Sequence, residues 1–278
     1  MLVGLISWGK AILKILRFRR AIGINPQKIF EFVQIETQRE NLRSEEMGNR
    51  LNLVEDFRDQ ILASNTIKAR RVGRNGDGGY VVPDLRYDKV VSIGIGLETS
   101  FEEDVSISDS RIFMFDHTVS APSNMPQHAQ FYKMGVAEKP GPNFMTFEAI
   151  IEMAQLNESE TSLLKVDIEG SEYDALYMKN FSQFAVVVIE LHHLDKVLYS
   201  ECFAKFAMLF EKLSNEHHIF HAHANNWGKL FNFGNVVIPN VIELTFIRKN
   251  LIVQNSENDK SELDFPCKPG FMEIWPLG

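Results

Sequence analysis

The sequence predicts an α/β fold built on a doubly wound, mostly parallel sheet. From residue 79 onward, short apolar runs alternate with helical patterns, as expected when helices connect parallel strands. Residues 89–119 (KVVSIGIGLETSFEEDVSISDSRIFMFDHTV) follow the order strand, glycine turn, helix, strand and acid. A second apolar run within 163–173 (LLKVDIEGSEY) also ends in carboxylates. Because ligands of such sheets bind beyond the carboxyl ends of the strands, both stretches predict residues of one crevice.

The pattern assigns seven strands and the helices between them. The predicted strands are 90–94, 112–115, 129–134, 162–168, 184–191, 218–223 and 241–248. The predicted helices are 99–108, 145–155, 171–179 and 200–214. The connection 224–240 is rich in Asn and Gly and predicts a loop, and the polar segment 250–270 predicts a surface loop or a partly mobile one.

A helical segment, residues 1–65, precedes the predicted sheet domain, 66–278. Pro26 stands at the start of one helical pattern, and a second covers 50–63. We expect this segment to cover the crevice or to join subunits of a homo-oligomer. Its first 20 residues are basic and amphipathic but too short and too interrupted by lysine to span a membrane. They suit either peripheral contact with an anionic membrane surface or packing on protein, and we favour packing.

Composition narrows the class of protein. The chain has 278 residues, of which 45% are hydrophobic, enough for one large α/β domain with additional elements. Its formal charge is −8, which argues against a nucleic acid partner. The two cysteines, Cys202 and Cys267, have no zinc-type CxxC spacing and imply no disulfide framework, so we expect a reducing cytoplasm.

The glycine turn after the first strand predicts contact with an adenosine-containing cofactor. Gly94 and Gly96 let the backbone approach a ligand closely, while Thr99 stands where a dinucleotide fingerprint needs a third glycine. The pattern therefore argues against a site for the pyrophosphate of a dinucleotide, and it is compatible with an adenosine that carries an amino acid, such as S-adenosylmethionine. Asp116 follows Gly96 by 20 residues, the spacing at which a carboxylate accepts hydrogen bonds from ribose hydroxyls. The alternative is a strand-end acid that caps the next turn.

A second glycine-rich loop, residues 74–84 (RNGDGGYVVPD), precedes the first strand. Glycines around Asp77 allow the backbone to approach a ligand, and Tyr80 offers a ring and a hydroxyl. A simple β-turn leading into a strand at 80–82 explains the glycines equally well.

Acids and histidines end several predicted strands. Glu190 and His192 share one face of their strand, with His193 opposite, and His221 and His223 end the next strand along the chain. One interpretation is a neutral imidazole, of His192 or His223, that takes a proton from an acceptor hydroxyl. Another is a divalent metal ion held by Asp167, Glu190 and His192. The third is that each histidine only satisfies a local hydrogen bond.

The motifs over residues 71–246 resemble the FkbM-type and related methyltransferases. The motifs are GDGGY, VVSIGIG with the SFEED helix, FMFDHT, LLKVDIEGSEYDAL and VVIELHHL. The resemblance implies a Rossmann-like class I methyltransferase fold, with a seven-stranded, mostly parallel sheet, and S-adenosylmethionine as the cofactor. The predicted cofactor-binding residues are Asp77, Gly78, Tyr80, Ser92, Gly94, Gly96, Asp116 and His117. Of these, Ser92 stands where many relatives carry an acid.

The resemblance also implies that Asp167 and Glu169 stand beside the transferred methyl group. We therefore expect an O-methyltransferase that acts on a hydroxyl of a sugar or nucleotide-linked sugar, as in the synthesis of a surface glycan such as a capsular polysaccharide. Glu169, His193 and Asn225 are the predicted substrate-binding residues. Two alternatives are a metal-dependent hydrolase without an adenosine cofactor, and a non-catalytic scaffold that binds the cofactor.

Overall fold

The computed structural model of the protein describes residues 44–62, 68–106, 110–157, 160–252 and 261–271. From Glu45 onward they belong to one compact unit, Glu45–Gly278. The helices predicted within residues 1–43, and the membrane or subunit contact expected of them, lie outside the described residues. None of the helices in the described ranges is long and apolar enough to cross a membrane.

Seven strands form one central sheet, which confirms the predicted fold class. The described strands, in chain order, are β1 (Ala69–Val72), β2 (Tyr80–Pro83), β3 (Lys89–Ile93), β4 (Arg111–Phe115), β5 (Ala129–Tyr132), β6 (Gly135–Val136), β7 (Phe144–Met145), β8 (Ser162–Val166), β9 (Val186–Leu191), β10 (His217–Ala224), β11 (Leu230–Phe233), β12 (Val236–Pro239) and β13 (Ile242–Arg248). The central sheet has the order β10-β13-β9-β8-β3-β4-β5. Only β13 runs antiparallel within it, against both β9 and β10.

The strand order reverses direction at β3, and this positions the crevice. The chain proceeds from β3 to β4 and β5 on one side and then returns through β8 and β9 on the other. Ile93, the last residue of β3, pairs with Phe115 of β4 and with Val166 of β8. The loops that follow these three strands therefore diverge at one edge of the sheet and leave room for a ligand between them.

The helices cover the sheet close to where the sequence predicts them. They are α1 (Ser44–Leu62), α2 (Ser100–Val105), α3 (Phe147–Ala154), α4 (Glu172–Leu176), α5 (Leu194–Val197) and α6 (Phe203–Glu216). Thr146 begins α3, since its side-chain oxygen accepts a hydrogen bond from the Ala149 amide, and Gln155 ends it in the left-handed region. The strands are buried on both faces, as expected when helices cover a parallel sheet.

Helix α1 packs directly on α6. The ring of Phe57 is 1% exposed and meets Phe206 and Phe210 edge-on, with centroids 5.8 and 5.2 Å away. Arg50 donates hydrogen bonds to the carbonyls of Leu198 and Ser200, both at 2.9 Å. The sequence-based division at residue 65 separates α1 from α6, whereas the compact unit begins at Glu45. The role expected of residues 1–65 stays a prediction.

Two hairpins add to the predicted elements. Strands β1 and β2 pair antiparallel and enclose the glycine-rich loop 73–79. Strands β11 and β12 pair antiparallel within residues 224–240, so the prediction of a plain loop there is wrong. Leu230–Phe233 carries apolar residues that suit a strand, but the Asn, Gly and Pro residues on either side of it are typical of a loop. Those residues instead supply the turn between Phe233 and Val236, where Gly234 has a φ of 59°.

The C-terminal segment is also more ordered than the sequence predicts. Residues Ser261–Leu263 form a 3-10 turn, and Cys267 is only 3% exposed. His221 on β10 lies 3.1 Å from Asp264 of this segment. The prediction of a surface loop over 250–270 holds for most of the described residues after 260, which are exposed or half-buried, but not for Cys267, which is buried at the sheet edge.

Candidate active site

A cleft of about 680 Å³ opens at the carboxyl ends of β3, β4, β8 and β9. The predicted site residues that line it are Asp77, Gly78, Gly94, Gly96, Asp116, His117, Asp167, Glu169, Glu190, His192, His193 and Asn225. Six carboxyl groups line the cleft, from Asp77, Glu98, Asp116, Asp167, Glu169 and Glu190, against the cationic groups of Arg74, Lys165 and His192. This excess of negative charge favours a positively charged ligand.

The two glycines of the first turn serve different purposes. Gly94 has a φ of +76°, and a Cβ built on it would lie 1.7 Å from the carbonyl oxygen of Asp167, so the turns after β3 and β8 can only meet at a glycine. Gly96 has a φ of +57°, and a Cβ on it would meet no atom within 4 Å. Since Gly96 lines the cleft, its missing side chain leaves space for a ligand.

Asp116 closes the turn from the end of β4. One carboxylate oxygen, Oδ2, accepts from the Gly96 amide at 2.9 Å. The other, Oδ1, accepts from the amide and hydroxyl of Thr118 at 2.7 and 2.6 Å and from the Val119 amide at 3.3 Å. Burial alone would raise the pKa of Asp116, but these hydrogen bonds outweigh it and lower the pKa. Oδ1 is saturated, so Oδ2 is the oxygen that retains capacity for a ribose hydroxyl.

Ser92 does not line the cleft, contrary to its predicted place among the cofactor contacts. It is fully buried and donates a hydrogen bond to Glu102 of α2. Lys165 lies 3.9 Å from the same carboxylate and donates to the Gly94 carbonyl at 3.0 Å. Ser92, at the position where the resemblance implies an acid, instead hydrogen-bonds an acid from the following helix, and that acid helps to hold Lys165 beneath the glycine turn.

His117 forms a wall of the cleft beyond Asp116. Its ring packs against Phe144, with centroids 4.6 Å apart. A Cβ on Gly135 would come within 2.8 Å of the His117 Nδ1. The close approach of strand β6 to this ring explains the glycine.

The loop between β1 and β2 brings Asp77 and Gly78 to the cleft. Arg71 organises this loop, because its guanidinium donates to the carbonyls of Arg74, Gly76 and Gly79 at 2.9, 2.7 and 2.9 Å. The loop is therefore not the simple β-turn considered from the sequence, because hydrogen bonds from the Arg71 side chain to the loop carbonyls hold it in shape. Burial, followed by the charge of Glu243, raises the pKa of Asp77.

Tyr80 lies deeper than the loop, at the start of β2. Its side chain is buried, and its hydroxyl lies 3.3 Å from both Asp167 Oδ2 and Glu190 Oε2. Tyr80 therefore positions two carboxylates of the site and is not itself part of the cleft lining.

Asp167, Glu190 and His192 come together at the floor of the cleft. Their ligand atoms all lie within 4.8 Å of one another. The His192 Nε2 is 4.0 Å from Asp167 Oδ1 and 3.8 Å from Glu190 Oε1. Asp167 Oδ1 is buried and has no hydrogen-bond partner among the described residues. Asp167 and Glu190 can thus each present a carboxylate oxygen, and His192 a ring nitrogen, to a cation between them.

The protonation of His192 departs from expectation. Burial alone would lower its pKa, but the hydrogen bond to Glu172 and the charges of Glu190 and Asp167 raise the pKa to about 9. Burial also raises the pKa of Asp167, and burial with the charge of Asp167 raises that of Glu190 well above its usual range. Unless a metal cation replaces its proton, His192 is an imidazolium at neutral pH and not the predicted neutral base.

The four histidines do not form one cluster. His193 lines the cleft in a left-handed conformation, and a Cβ on Gly170 would lie 2.8 Å from its ring. His221 is paired with Asp264, and His223 is 2% exposed and lies outside the cleft lining. The sequence suggested adjacent strands, but β13 lies between β9 and β10 and separates His223 from His192.

The two remaining predicted substrate residues lie at the rim and at the back of the cleft. Glu169 has an 85% exposed side chain, and its Oε2 is 3.5 Å from His192 Nε2. Asn225 is buried, and its Nδ2 donates to Glu190 Oε1 at 2.8 Å and reaches Asp77 Oδ1 at 3.5 Å.

Comparison with known proteins decides the family. Residues 62–215, more than half of the chain, match the methyltransferase FkbM domain. The chain belongs to this family. It is therefore an FkbM methyltransferase, dependent on S-adenosylmethionine.

One solved structure that matches the chain is a fibrillarin pre-rRNA processing protein from Methanococcus jannaschii, with 14% sequence identity and a TM-score of 0.37. The alignment covers 61% of this chain and 70% of that one. No curated protein matches the sequence significantly.

The structure brings three residues to the cleft, or directly behind it, that the sequence did not single out. Glu172, within the DIEGSE motif, is fully buried and lies 3.0 Å from the His192 Nδ1. Glu243 on β13 pairs in register with Glu190 and also with His223. Trp227 lines the cleft and is 59% exposed, unusual for so large an apolar side chain. Only Glu172 carried a sequence signal, as the last acid of its motif.

Proposed function

We propose that this FkbM methyltransferase transfers a methyl group to a hydroxyl of a sugar or a similar polyhydroxylated small molecule. The observation that carries the proposal is the arrangement of one cleft, with Gly96 and Asp116 at one end and Asp167, Glu190 and His192 at its floor. The first end fits an adenosine, and the floor fits hydroxyl groups that need to be aligned and deprotonated.

S-adenosylmethionine, when bound, supplies a methyl group on a positively charged sulfur. An oxygen that attacks this methyl carbon in line forms the O–CH3 bond as the CH3–S bond breaks, and the neutral thioether S-adenosylhomocysteine leaves. The open space at Gly96 and the remaining capacity of Asp116 Oδ2 fit a ribose, and the six carboxyl groups of the cleft fit a cationic cofactor. Asp77 and Gly78 border the same space from the second glycine loop. His117 and Phe144 close the far wall.

We further propose that Asp167, Glu190 and His192 hold a divalent cation such as Mg²⁺ or Mn²⁺. Three observations support a built metal site. Asp167 Oδ1 is buried without a hydrogen-bond partner among the described residues, and the Glu172 carboxylate lies behind His192. The Tyr80 hydroxyl lies within hydrogen-bond distance of both Asp167 and Glu190. A cation there would neutralise the buried acids and lower the pKa of a coordinated acceptor hydroxyl. The exposed Glu169 carboxylate beside His192 can then pass the proton to solvent.

The charge of the cleft also bears on the acceptor. A neutral sugar binds among carboxylates without electrostatic cost, whereas the diphosphate of a nucleotide-linked sugar would be repelled unless a divalent cation lies between. The nucleotide-linked acceptor therefore requires the cation for binding as well as for deprotonation of its hydroxyl, whereas the neutral acceptor requires it only for deprotonation. His193, Asn225 and Trp227 are the groups placed to contact either one.

Three measurements test the proposal. Calorimetry with S-adenosylhomocysteine should show binding that Asp116→Asn weakens, and absence of binding to the wild-type protein would refute the cofactor site. Turnover should then be measured on neutral sugars and nucleotide sugars, with Mn²⁺ and with a chelator. Cofactor binding without methylation of any hydroxyl in the panel would favour the scaffold alternative, and hydrolysis of a substrate without added cofactor would favour the hydrolase.

A further inference from the structure

A second group of potential ligands lies outside the cleft, where three elements of the chain meet. His223 comes from β10, Glu243 from β13 and Cys267 from the C-terminal segment 261–271. Cys267 Sγ lies 3.1 Å from Glu243 Oε1 and 3.9 Å from His223 Nδ1, and His223 Nδ1 lies 2.9 Å from Glu243 Oε2. All three side chains are buried, at 3%, 4% and 2% exposure for Cys267, Glu243 and His223.

These distances are close to those between three of the four ligands of a tetrahedral zinc ion, and a water molecule would take the fourth position. With zinc bonds of about 2.3 Å to sulfur, 2.0 Å to nitrogen and 2.1 Å to oxygen, neighbouring ligand atoms are roughly 3.3 to 3.6 Å apart. The separations in the protein bracket that range, so side-chain adjustments of a few tenths of an ångström would admit the ion. A thiolate, an imidazole and a carboxylate together favour zinc over the harder magnesium and calcium ions.

The local charge favours a cation at this place. Glu243 stands directly opposite Glu190 in the β9–β13 ladder, and each is at most 4% exposed. Two buried carboxylates side by side are unfavourable unless a cation or protons balance them. Burial and then the charge of Glu243 raise the pKa of the Cys267 thiol, so without a metal the thiol keeps its proton and donates it to Glu243.

We propose that His223, Glu243 and Cys267 bind a structural Zn²⁺ ion that fastens the C-terminal segment to the sheet. On binding, the Cys267 thiol gives its proton to solvent, and His223 presents an unprotonated Nδ1, so the ion replaces the two hydrogen bonds to Glu243. The site is separate from the proposed methyl-transfer chemistry, since none of the three residues lines the cleft.

The segment held in this way supports one wall of the active site. Lys268 follows Cys267, and its backbone amide and carbonyl hydrogen-bond the Asn226 side chain at 2.6 and 3.3 Å. The Lys268 ammonium lies 4.7 Å from the ring centre of Trp227, which lines the cleft. Release of the segment would therefore remove the support behind Trp227.

Cobalt substitution in the full-length protein tests the proposal directly. The protein is freed of metal with a chelator and titrated with Co²⁺, and zinc in the untreated protein is measured by mass spectrometry. We expect about one zinc per chain and, with cobalt, a thiolate-to-metal charge-transfer band. Cys267→Ser should lose the band, while Cys202→Ser, a change at the exposed cysteine, should keep it.

His192→Ala separates this site from the cleft, because the Asp167, Glu190 and His192 group contains no sulfur. The band should survive His192→Ala even if manganese binding is lost. Folded wild-type protein that shows no charge-transfer band at excess Co²⁺ would overturn the proposal, and so would a band that Cys202→Ser abolishes. Because the wild-type measurement is decisive by itself, a variant that fails to fold does not obscure the result.

Discussion

The His192 Nδ1 lies 3.0 Å from Oε1 of the fully buried Glu172. A carboxylate can only accept a hydrogen bond, so the His192 Nδ1 carries a proton, and Nε2 is directed toward Asp167 and Glu190. Glu172 is fixed in turn by the amides of Ile168 and Gly170, at 3.3 and 3.1 Å. This carboxylate–histidine pair is the arrangement that orients metal-binding histidines in many proteins.

Glu172→Gln should weaken divalent cation binding by about 10- to 100-fold, because it removes the charge that orients and polarises His192. Mn²⁺ affinity is measured by calorimetry, and S-adenosylhomocysteine affinity, which should not change, is the control. Unaltered Mn²⁺ affinity in a folded Glu172→Gln protein would show that the pair has only a structural role.

Asp116→Asn should reduce affinity for S-adenosylhomocysteine by roughly 10- to 100-fold, the value of a lost hydrogen bond to a charged group. The amide side chain of Asn has one accepting oxygen where the carboxylate of Asp116 has two. The hydrogen bonds to Gly96 and to Thr118 cannot both be kept, so the turn at Gly96 also loosens. Asp59→Asn on α1, where the side chain is 65% exposed, is the matched control and should bind normally. Equal affinities of the two variants would contradict the assignment of Asp116 to the ribose.

Alanine at Gly96 should affect cofactor binding, whereas alanine at Gly94 should affect folding. Gly96→Ala should fold, at a cost of about 1 to 2 kcal/mol for the left-handed conformation, and lose cofactor binding. Gly94→Ala should fail to reach the native structure, because its Cβ would overlap the Asp167 carbonyl. Thermal unfolding and cofactor calorimetry distinguish the two outcomes, and a stable Gly94→Ala protein would disprove the close approach of the two turns.

His217 should make the protein sensitive to acid. Burial lowers its pKa, and its Nε2 donates to the Phe184 carbonyl at 2.8 Å. The folded protein therefore keeps His217 neutral while the unfolded chain takes up a proton below a pH of about 6.5, so stability falls as the pH decreases through that range. The loss is at most about 1.4 kcal/mol per pH unit for one such group.

Urea unfolding of His217→Gln at pH 7.5 and 5.5 checks this expectation. The variant should lose less stability on acidification than the wild-type protein does. His218→Gln, at the exposed neighbouring position, should change the pH dependence much less. Identical slopes for the wild-type protein and His217→Gln would contradict the prediction.

The sequence predicted the seven central strands because buried parallel strands are continuous apolar runs, such as Val186–Leu191, that stand out from their polar connections. It also placed Asp116 and Asp167 at one crevice, since both directly follow strands that flank β3. These inferences needed only local pattern and the general topology of such sheets.

The lateral order of the last strands could not be read in the same way. His192 and His223 belong to the ends of β9 and β10, which follow one another in the chain. In the sheet, however, β13 lies between these two strands, and its Glu243 pairs with Glu190 on one side and with His223 on the other. For the same reason, Cys267 had no visible partner, because its neighbours in space are 24 and 44 residues away in the chain. The elevated pKa of His192 likewise depends on Glu172, Glu190 and Asp167 meeting in three dimensions.

The amide group of Asn225 has two hydrogens, and it reaches Glu190 at 2.8 Å and Asp77 at 3.5 Å. A ligand that moves Asp77 also moves one partner of this amide group, whose other partner is Glu190 at the floor of the cleft. Occupancy of the two ends of the cavity is consequently linked, and by reciprocity each ligand alters the affinity of the other by the same factor. The two ends of the cavity are thus coupled through one side chain.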